Sequence, residues 1–371
     1  MMNSLSPLEN YCADPAITYL RTAAQGLLPT SARAAMEAYI ASRTGQEDGS
    51  QGQVYGACKR RLADLLGADE DSIAFVSSTS DACSLIYGLI DWRAGDNVVV
   101  IDDTMEFPSV TLPAHRLATR GVQVRVVRPE QWHVSSEAIA ARTDSRTRLV
   151  FVSHVSYRSG FRLALPELAS HIRKASGAWL AVDASQSLGV TPADARVCDF
   201  VVATAFKWML GAHGAAVLYW NRERVPQASP PAIGWHNVVG DVAAGYQLKV
   251  SAERFEAGNP SYLSLFVLNA SLASLACYDA AAIERHVLDL TGYLLEEISK
   301  LGLPLITPLR DERRAGIVSW LDERCEQTAQ RLDSEHAVKV SGNAGRIRVA
   351  AHLYNSIDDI ERLLRALHEL Q

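Results

Sequence analysis

Five short runs of β-branched and aliphatic residues recur between residues 72 and 183, and stretches of helical spacing separate them. The runs are SIAFVS (72–77), NVVVI (97–101), VQVRVV (122–127), RLVFVS (148–153) and AWLAVD (178–183). The helical segments fall near 81–90, 108–119, 135–142 and 165–175. Such alternation leaves few architectures, because neighbouring parallel strands need a crossover and helices supply it while covering both sheet faces. DFVVAT (199–204) and AAVLYW (215–220) add two further strands, and QVYGACKRRLADLLG, from residue 53, reads as a preceding helix. The expected fold is α/β, a large doubly wound and mostly parallel sheet.

Beyond residue 221 the texture changes. RERVPQASPPAIGWHNVVGD reads as a long loop, and one helical stretch is expected from about 263 to 300. AGIVSWL, a helix at 324–333, HAVKVS, GRIRVAA and a final helix from Ile357 then describe a smaller α+β unit. The chain of 371 residues, 48% hydrophobic, has material for two cores. The expected division is a large domain over 1–262 and a small one over 263–371, with residues 1–18 packing on the small domain.

A net charge of −6 argues against nucleic acid or an anionic membrane as partner. No apolar run reaches the roughly 18–20 residues of a membrane span. The first twenty residues carry two acids and no cation, so no secretory leader is expected and a cytoplasmic location is. Six scattered cysteines without a C-x-x-C pair fit small buried hydrophobes in a reducing compartment, and no metal site is expected.

In an open parallel sheet, ligands bind beyond the carboxyl ends of the strands. Here those ends lead to Ser78-Thr79-Ser80-Asp81, to Asp102 through Phe107, to His154-Val155-Ser156-Tyr157, to Asp183 with Gln186, and through Thr204 to Lys207. Taken singly, each has an ordinary use: the hydroxyls cap a helix, Phe107 packs, Asp183 pairs with a cation. Together they describe a pocket. A phosphate cradle at a helix start, a carboxylate, an aromatic face and an amine meet the needs of pyridoxal phosphate. Lys207 lies in ATAFKWMLGA, whose apolar flanks favour a neutral amine able to attack an aldehyde. A dinucleotide is the weaker alternative, since no G-x-G-x-x-G joins an early strand to its helix, and GAHGAA (211–216) is wrongly spaced.

At these residues the chain resembles the class V aminotransferase family of fold-type I pyridoxal-phosphate enzymes, which includes cysteine desulfurases and kynureninases. The likeness runs from YLRTAAQGLLP (19–29) to RVAAHLYNSIDDIERLLRAL (348–367), and VDASQSLG with FKWMLGAHGAAVLYW is its most specific part. It implies that Lys207 is the Schiff-base lysine, Asp183 the partner of the pyridine nitrogen, and Gln186 the neighbour of the phenolic oxygen. Thr79 and Ser80 would bind phosphate, and Phe107 would stack on the ring. Ser156, Tyr157 and Thr204, from their places at the strand ends, are further expected cofactor contacts. Arg348 would hold the substrate α-carboxylate, with Gln25 in the substrate pocket. The loop RFEAGNPS (254–261) would reach the neighbouring subunit's cofactor through Asn259, which makes a homodimer the expected assembly. Arg158, Trp235 and His236 could meet a polar or anionic substrate group, or serve only packing.

The departures bear on the reaction. No cysteine lies between Cys325 and Arg348, where desulfurases carry their reactive thiol, and Phe206 replaces the histidine or tyrosine expected before the lysine. The expected activity is therefore amino-acid transamination, giving a keto acid. The alternatives are a lyase, hydrolase or epimerase with Tyr157 or His154 as second acid, or a cofactor-fold binding protein without catalysis.

Overall fold

A computed structural model describes residues 3–45 and 50–370. A two-residue strand β1 (Thr18–Tyr19) and helices α1 (Ser31–Ser42) and α2 (Ser50–Leu66) precede the main sheet. The sheet is built from β2 (Ile73–Val76), β3 (Asn97–Ile101), β4 (Gln123–Val127), β5 (Thr147–Ser153), β6 (Trp179–Asp183), β7 (Phe200–Thr204) and β8 (Ala216–Trp220). Its order is β2-β8-β7-β6-β5-β3-β4, and β8 alone runs against the others. All seven runs anticipated from apolar content form strands in one mostly parallel sheet.

Alternation along each strand divides the apolar residues between two cores. Val99, Val150, Val152, Val182 and Val201 point to one, with α2, α5 (Ser136–Ala140) and α6 (Leu165–Ala175) supplying Leu62, Ile139, Leu168 and Ile172. Val98, Val100, Phe151, Val202 and Leu218 point to the other, where α3 (Thr79–Gly88) and α4 (Pro108–Leu117) supply Ile86, Val110 and Leu117. This two-sided cover lets strands such as β3 and β7 be buried along their whole length.

Two segments differ from the sequence reading. The long loop contains a hairpin, β9 (Val238–Asp241) with β10 (Gly245–Leu248), closed by Asp241 Oδ1 accepting from the Ala244 N–H. It is exposed on both faces, so it carries no hydrophobic alternation from which a strand could be read. The stretch 263–300 is two helices, α7 (Tyr262–Leu275) and α8 (Ala280–Lys300), bent by 82°. Asp279 starts the second by capping the Ala282 N–H.

Leu265, Leu268 and Leu272 of α7 pack with the main sheet, whereas Leu290, Leu294 and Ile298 of α8 pack in the C-terminal unit. Leu275 of α7 and Ile283 and Val287 of α8 share a further cluster that spans the break. The C-terminal unit holds β11 (Ile317–Leu321), α9 (Cys325–His336), β12 (Val338–Lys339), β13 (Ser341–Asn343), β14 (Arg346–Ala350) and α10 (Ile357–Leu370), with sheet order β11-β14-β13. The start of the chain lies against it: β1 pairs in parallel with β12, Leu20 enters its core, and the Ser6 N–H bonds to the Leu353 carbonyl.

One glycine fixes the approach of the main sheet's loops. Gly189 has φ +109°, and a Cβ there would lie 2.4 Å from the Trp208 carbonyl oxygen. Gly189→Ala combines a disfavoured backbone with a backbone clash, so a loss of at least about 2 kcal/mol is expected in denaturant unfolding.

Candidate active site

A cavity of about 250 Å³ opens beyond the carboxyl ends of β2, β6 and β7, with Thr79, Phe107, Asp183, Thr204 and Lys207 on its walls. A narrow extension past Phe107, Asp183 and Lys207 reaches Tyr157 and Gln186. Eight of the twelve residues singled out from sequence therefore meet in one place.

Lys207 follows β7 in a turn that doubles back into β8, with Leu210 in the left-handed region at φ +57°. Its Nζ lies 5.5 Å from the Phe107 ring centroid and 5.8 Å from that of Phe206. Burial lowers its pKa to about 8, Arg348 adds to the lowering, and the Asp183 charge opposes it. The N-terminal segment pins this turn from outside: the Gly26 N–H donates to the Phe206 carbonyl at 2.9 Å, and a Cβ on Gly26 would lie 2.2 Å from the Lys207 oxygen.

Asp183 ends β6 and is buried, its Oδ1 accepting from the Ser185 N–H at 2.8 Å. Burial raises its pKa, while Ser185 and Lys207 pull it back. Gln186 beside it donates from Nε2 to the Ala23 carbonyl at 3.0 Å and accepts from Trp208 Nε1 at 2.8 Å. Thr79 Oγ1 lies 3.3 Å from Ser185 Oγ, and Ser80 Oγ lies 2.7 Å from Ser109 Oγ. Ser78 caps α3 by accepting from the Asp81 N–H, so the helix begins two residues earlier than its apolar pattern indicates. Asp81 is itself held by the Ser77 and Ser78 hydroxyls.

Tyr157 meets the edge of Phe107 at 5.2 Å between centroids. Its hydroxyl accepts from Arg158 Nε at 3.1 Å, and its carbonyl accepts from Arg348 Nη1 at 2.9 Å. Arg348 is buried, and its pKa falls to about 10 through burial and the neighbouring Arg346.

Four expected contacts stand elsewhere or act differently. Ser156 is buried but does not line the cavity; its hydroxyl donates to the Met105 carbonyl at 2.9 Å and accepts from backbone in its own turn. Gln25 is exposed, and its carbonyl accepts from the Tyr19 hydroxyl. Asn259 is exposed and lines no part of this chain's own cavity. Arg348 approaches the cavity through Tyr157. His154, considered as an acid, is buried against Ser187 Oγ at 2.9 Å with its pKa pushed down to about 3, so it is neutral near pH 7 and holds no transferable charge.

Three contributors had no assigned role in the sequence reading. Glu106 is buried and accepts from the N–H groups of Phe107 and Ser153, at 2.9 and 2.7 Å, and burial raises its pKa to about 7. It ties Phe107 to the end of β5, and its position directly before that aromatic was the available signal. Ser185, between Asp183 and Gln186, accepts from the Thr204 N–H at 3.2 Å. His213 lines the cavity and stacks on Phe206 at 3.9 Å.

These residues fit pyridoxal phosphate. Hydroxyls and free N–H groups at the start of α3 suit a phosphate, the Phe107 face suits a flat ring, and a buried carboxylate and a desolvated amine close the opposite wall.

The comparisons agree. The profile of the family described as Aminotransferase class-V matches residues 18–363. A probable cysteine desulfurase of Pyrococcus abyssi is 30% identical over 338 residues, covering 86% of this chain and 83% of its own. The apo structure of a cysteine desulfurase from Thermococcus onnurineus NA1 superposes with a TM-score of 0.88 at 25% identity, covering 98% of this chain and 96% of that one. A structure described as a C-DES mutant with glycine covalently linked to its PLP cofactor gives 0.89 at 22% identity, covering 98% and 99%, and so shares the fold. The cofactor of this chain is pyridoxal phosphate, and the chain belongs to the class V aminotransferase family of pyridoxal-phosphate enzymes.

Proposed function

We propose that the chain cleaves a carbon–sulfur bond in an amino acid by β-elimination, with Lys207 as its base and without a cysteine nucleophile. The observation that carries this is a desolvated amine beside a buried carboxylate, in a cavity whose described lining contains no thiol. The relatives described as cysteine desulfurases support sulfur as the leaving atom. Bound pyridoxal phosphate supplies the electron sink for the pair left on Cα. The start of α3, with Thr79 and Ser80, would hold the phosphate, Phe107 would cover the ring, and Asp183 would supply a negative charge to the ring nitrogen. Arg348 holds the substrate carboxylate and so aims Cα–H at Lys207. The Lys207 amine takes the Cα proton; the freed pair forms Cα=Cβ, and sulfur leaves with the Cβ–S electrons. The products of elimination are a thiol and 2-aminoacrylate; once released, the latter tautomerises to an imine, and one water hydrolyses it to pyruvate and ammonia. A homodimer, with loop 254–261 and its Asn259 reaching the partner's cavity, belongs to the same proposal.

Transamination to a keto acid is the second reading. Phe206 favours it, because a ring without a transferable proton stands beside the lysine, while Lys207 alone could move the proton between two carbons. The test is a panel of sulfur-bearing and ordinary amino acids with absorbance and product mass spectrometry. Pyruvate and ammonia with repeated turnover support elimination; a stoichiometric keto acid with the amine form of the cofactor replaces it by transamination. Cys325 is buried at the start of α9, so Cys325→Ala is expected to keep turnover within about twofold, as a persulfide route would not.

A further inference from the structure

Residues two apart on a strand share a face, so β14 presents Ile347 and Val349 to the small core and Arg346 and Arg348 to the opposite side. That opposite side meets the Tyr157 loop. Arg346 Cζ stands 5.4 Å from the Tyr157 ring centroid, Arg158 Cζ stands 5.7 Å from it, and Arg348 bonds to the Tyr157 carbonyl. Three guanidinium groups thus surround one tyrosine whose ring walls the cavity extension.

Their compensation is incomplete. Among the described residues no ion pair joins Arg158, Arg346 or Arg348 to a carboxylate. Arg346 is 3% exposed, donates from Nη1 to the Asn343 carbonyl at 3.3 Å, and leaves a buried Nε without an acceptor. Ser319, directly opposite Arg348 on β11 and therefore on the same face, has a fully buried hydroxyl that also lacks a partner. Buried cations and donors of this kind are costly unless an anion meets them, since each needs a counter-charge or an acceptor. One α-carboxylate occupies one guanidinium in a bidentate pair, which leaves the positive charge of the others in excess.

We infer that this cluster is a second anion subsite, formed by Arg158 and Arg346 beside Arg348, and that the substrate is an amino acid whose side chain ends in a carboxylate or comparable anion. The inference rests on the proposed role of Arg348 at the α-carboxylate. It limits the substrate class: S-carboxymethylcysteine, cystine, aspartate and glutamate share the second anion, whereas S-ethylcysteine and alanine lack it.

The closing experiment uses the holoenzyme and two readouts. Calorimetric titration compares succinate with butyrate, which differ by one carboxylate, and kinetics compare S-carboxymethylcysteine with S-ethylcysteine. The expected result is at least about tenfold tighter binding of succinate, and a similar ratio in kcat/KM expressed mainly in KM. Arg158→Gln, at a partly exposed position, should bring both ratios toward one, and Arg346→Gln should do the same if it folds. Equal binding of succinate and butyrate, or ratios untouched by Arg158→Gln, would overturn the subsite. Turnover of aspartate or glutamate with no response to the S-substituted cysteines supports the subsite and removes carbon–sulfur cleavage instead. Tight succinate binding with no turnover of any amino acid likewise supports the subsite and ends the catalytic reading.

Discussion

Lys207→Ala should lower turnover by at least about 10³-fold while leaving a folded protein, because it removes the base of the proposed reaction. Lys207→Arg should be equally inactive, since a guanidinium remains protonated. Stability separates this loss from misfolding. Burial holds the Lys207 pKa at about 8 against an ordinary 10.5, so between those values the unfolded apoprotein binds more protons than the folded one. Stability then rises with pH across that window, and the cost of the buried cation is fully present below about pH 8. Removing the amine removes the cost, and apo Lys207→Ala should melt no lower than the parent at pH 7. The same shift leaves roughly 300-fold more neutral amine at pH 7 than an ordinary lysine has. Cofactor uptake by the apoprotein, followed by absorbance, should therefore slow about tenfold per pH unit below 8.

Asp183→Asn is expected to lower turnover by about 10²- to 10⁴-fold, through loss of the charge proposed to face the ring nitrogen. It should also move cofactor uptake in the opposite sense. The Asp183 charge raises the Lys207 pKa, so without it the amine titrates lower and uptake at pH 6.5–7 becomes faster than in the parent. Slower chemistry with faster uptake, in one variant, is a pairing that general damage to the fold does not produce. Stopped-flow absorbance across pH reads the second effect. An uptake profile identical to the parent would show that the two groups are not coupled.

The sheet was legible because its inner strands are buried on both faces and so carry unbroken apolar runs, while the edge strand β4 keeps an apolar alternation. The cavity was legible because a parallel sheet brings its strand ends together, which gathers Thr79, Phe107, Asp183 and Lys207 from 129 positions of chain. The break at 276–279 was not, since α7 is apolar all round and offers no periodic stripe to end. The Ser156 hydroxyl turns to the Met105 carbonyl, a direction that position after a strand does not specify. The arginine cluster was hidden for another reason. Arg158 and Arg346 lie far apart in the chain, and only the docking of the small sheet on the Tyr157 loop unites them.

The pairing of residues 18–19 with 338–339 has a consequence for the order of folding. It joins two segments about 320 positions apart in the chain. The segment in which Gly26 crosses the lysine turn is anchored through that distant strand, so the Lys207 amine gains its final enclosure only once the two segments meet. Closure over such a sequence separation is slow compared with local folding, and the main sheet has time to form first with its cofactor cavity still open.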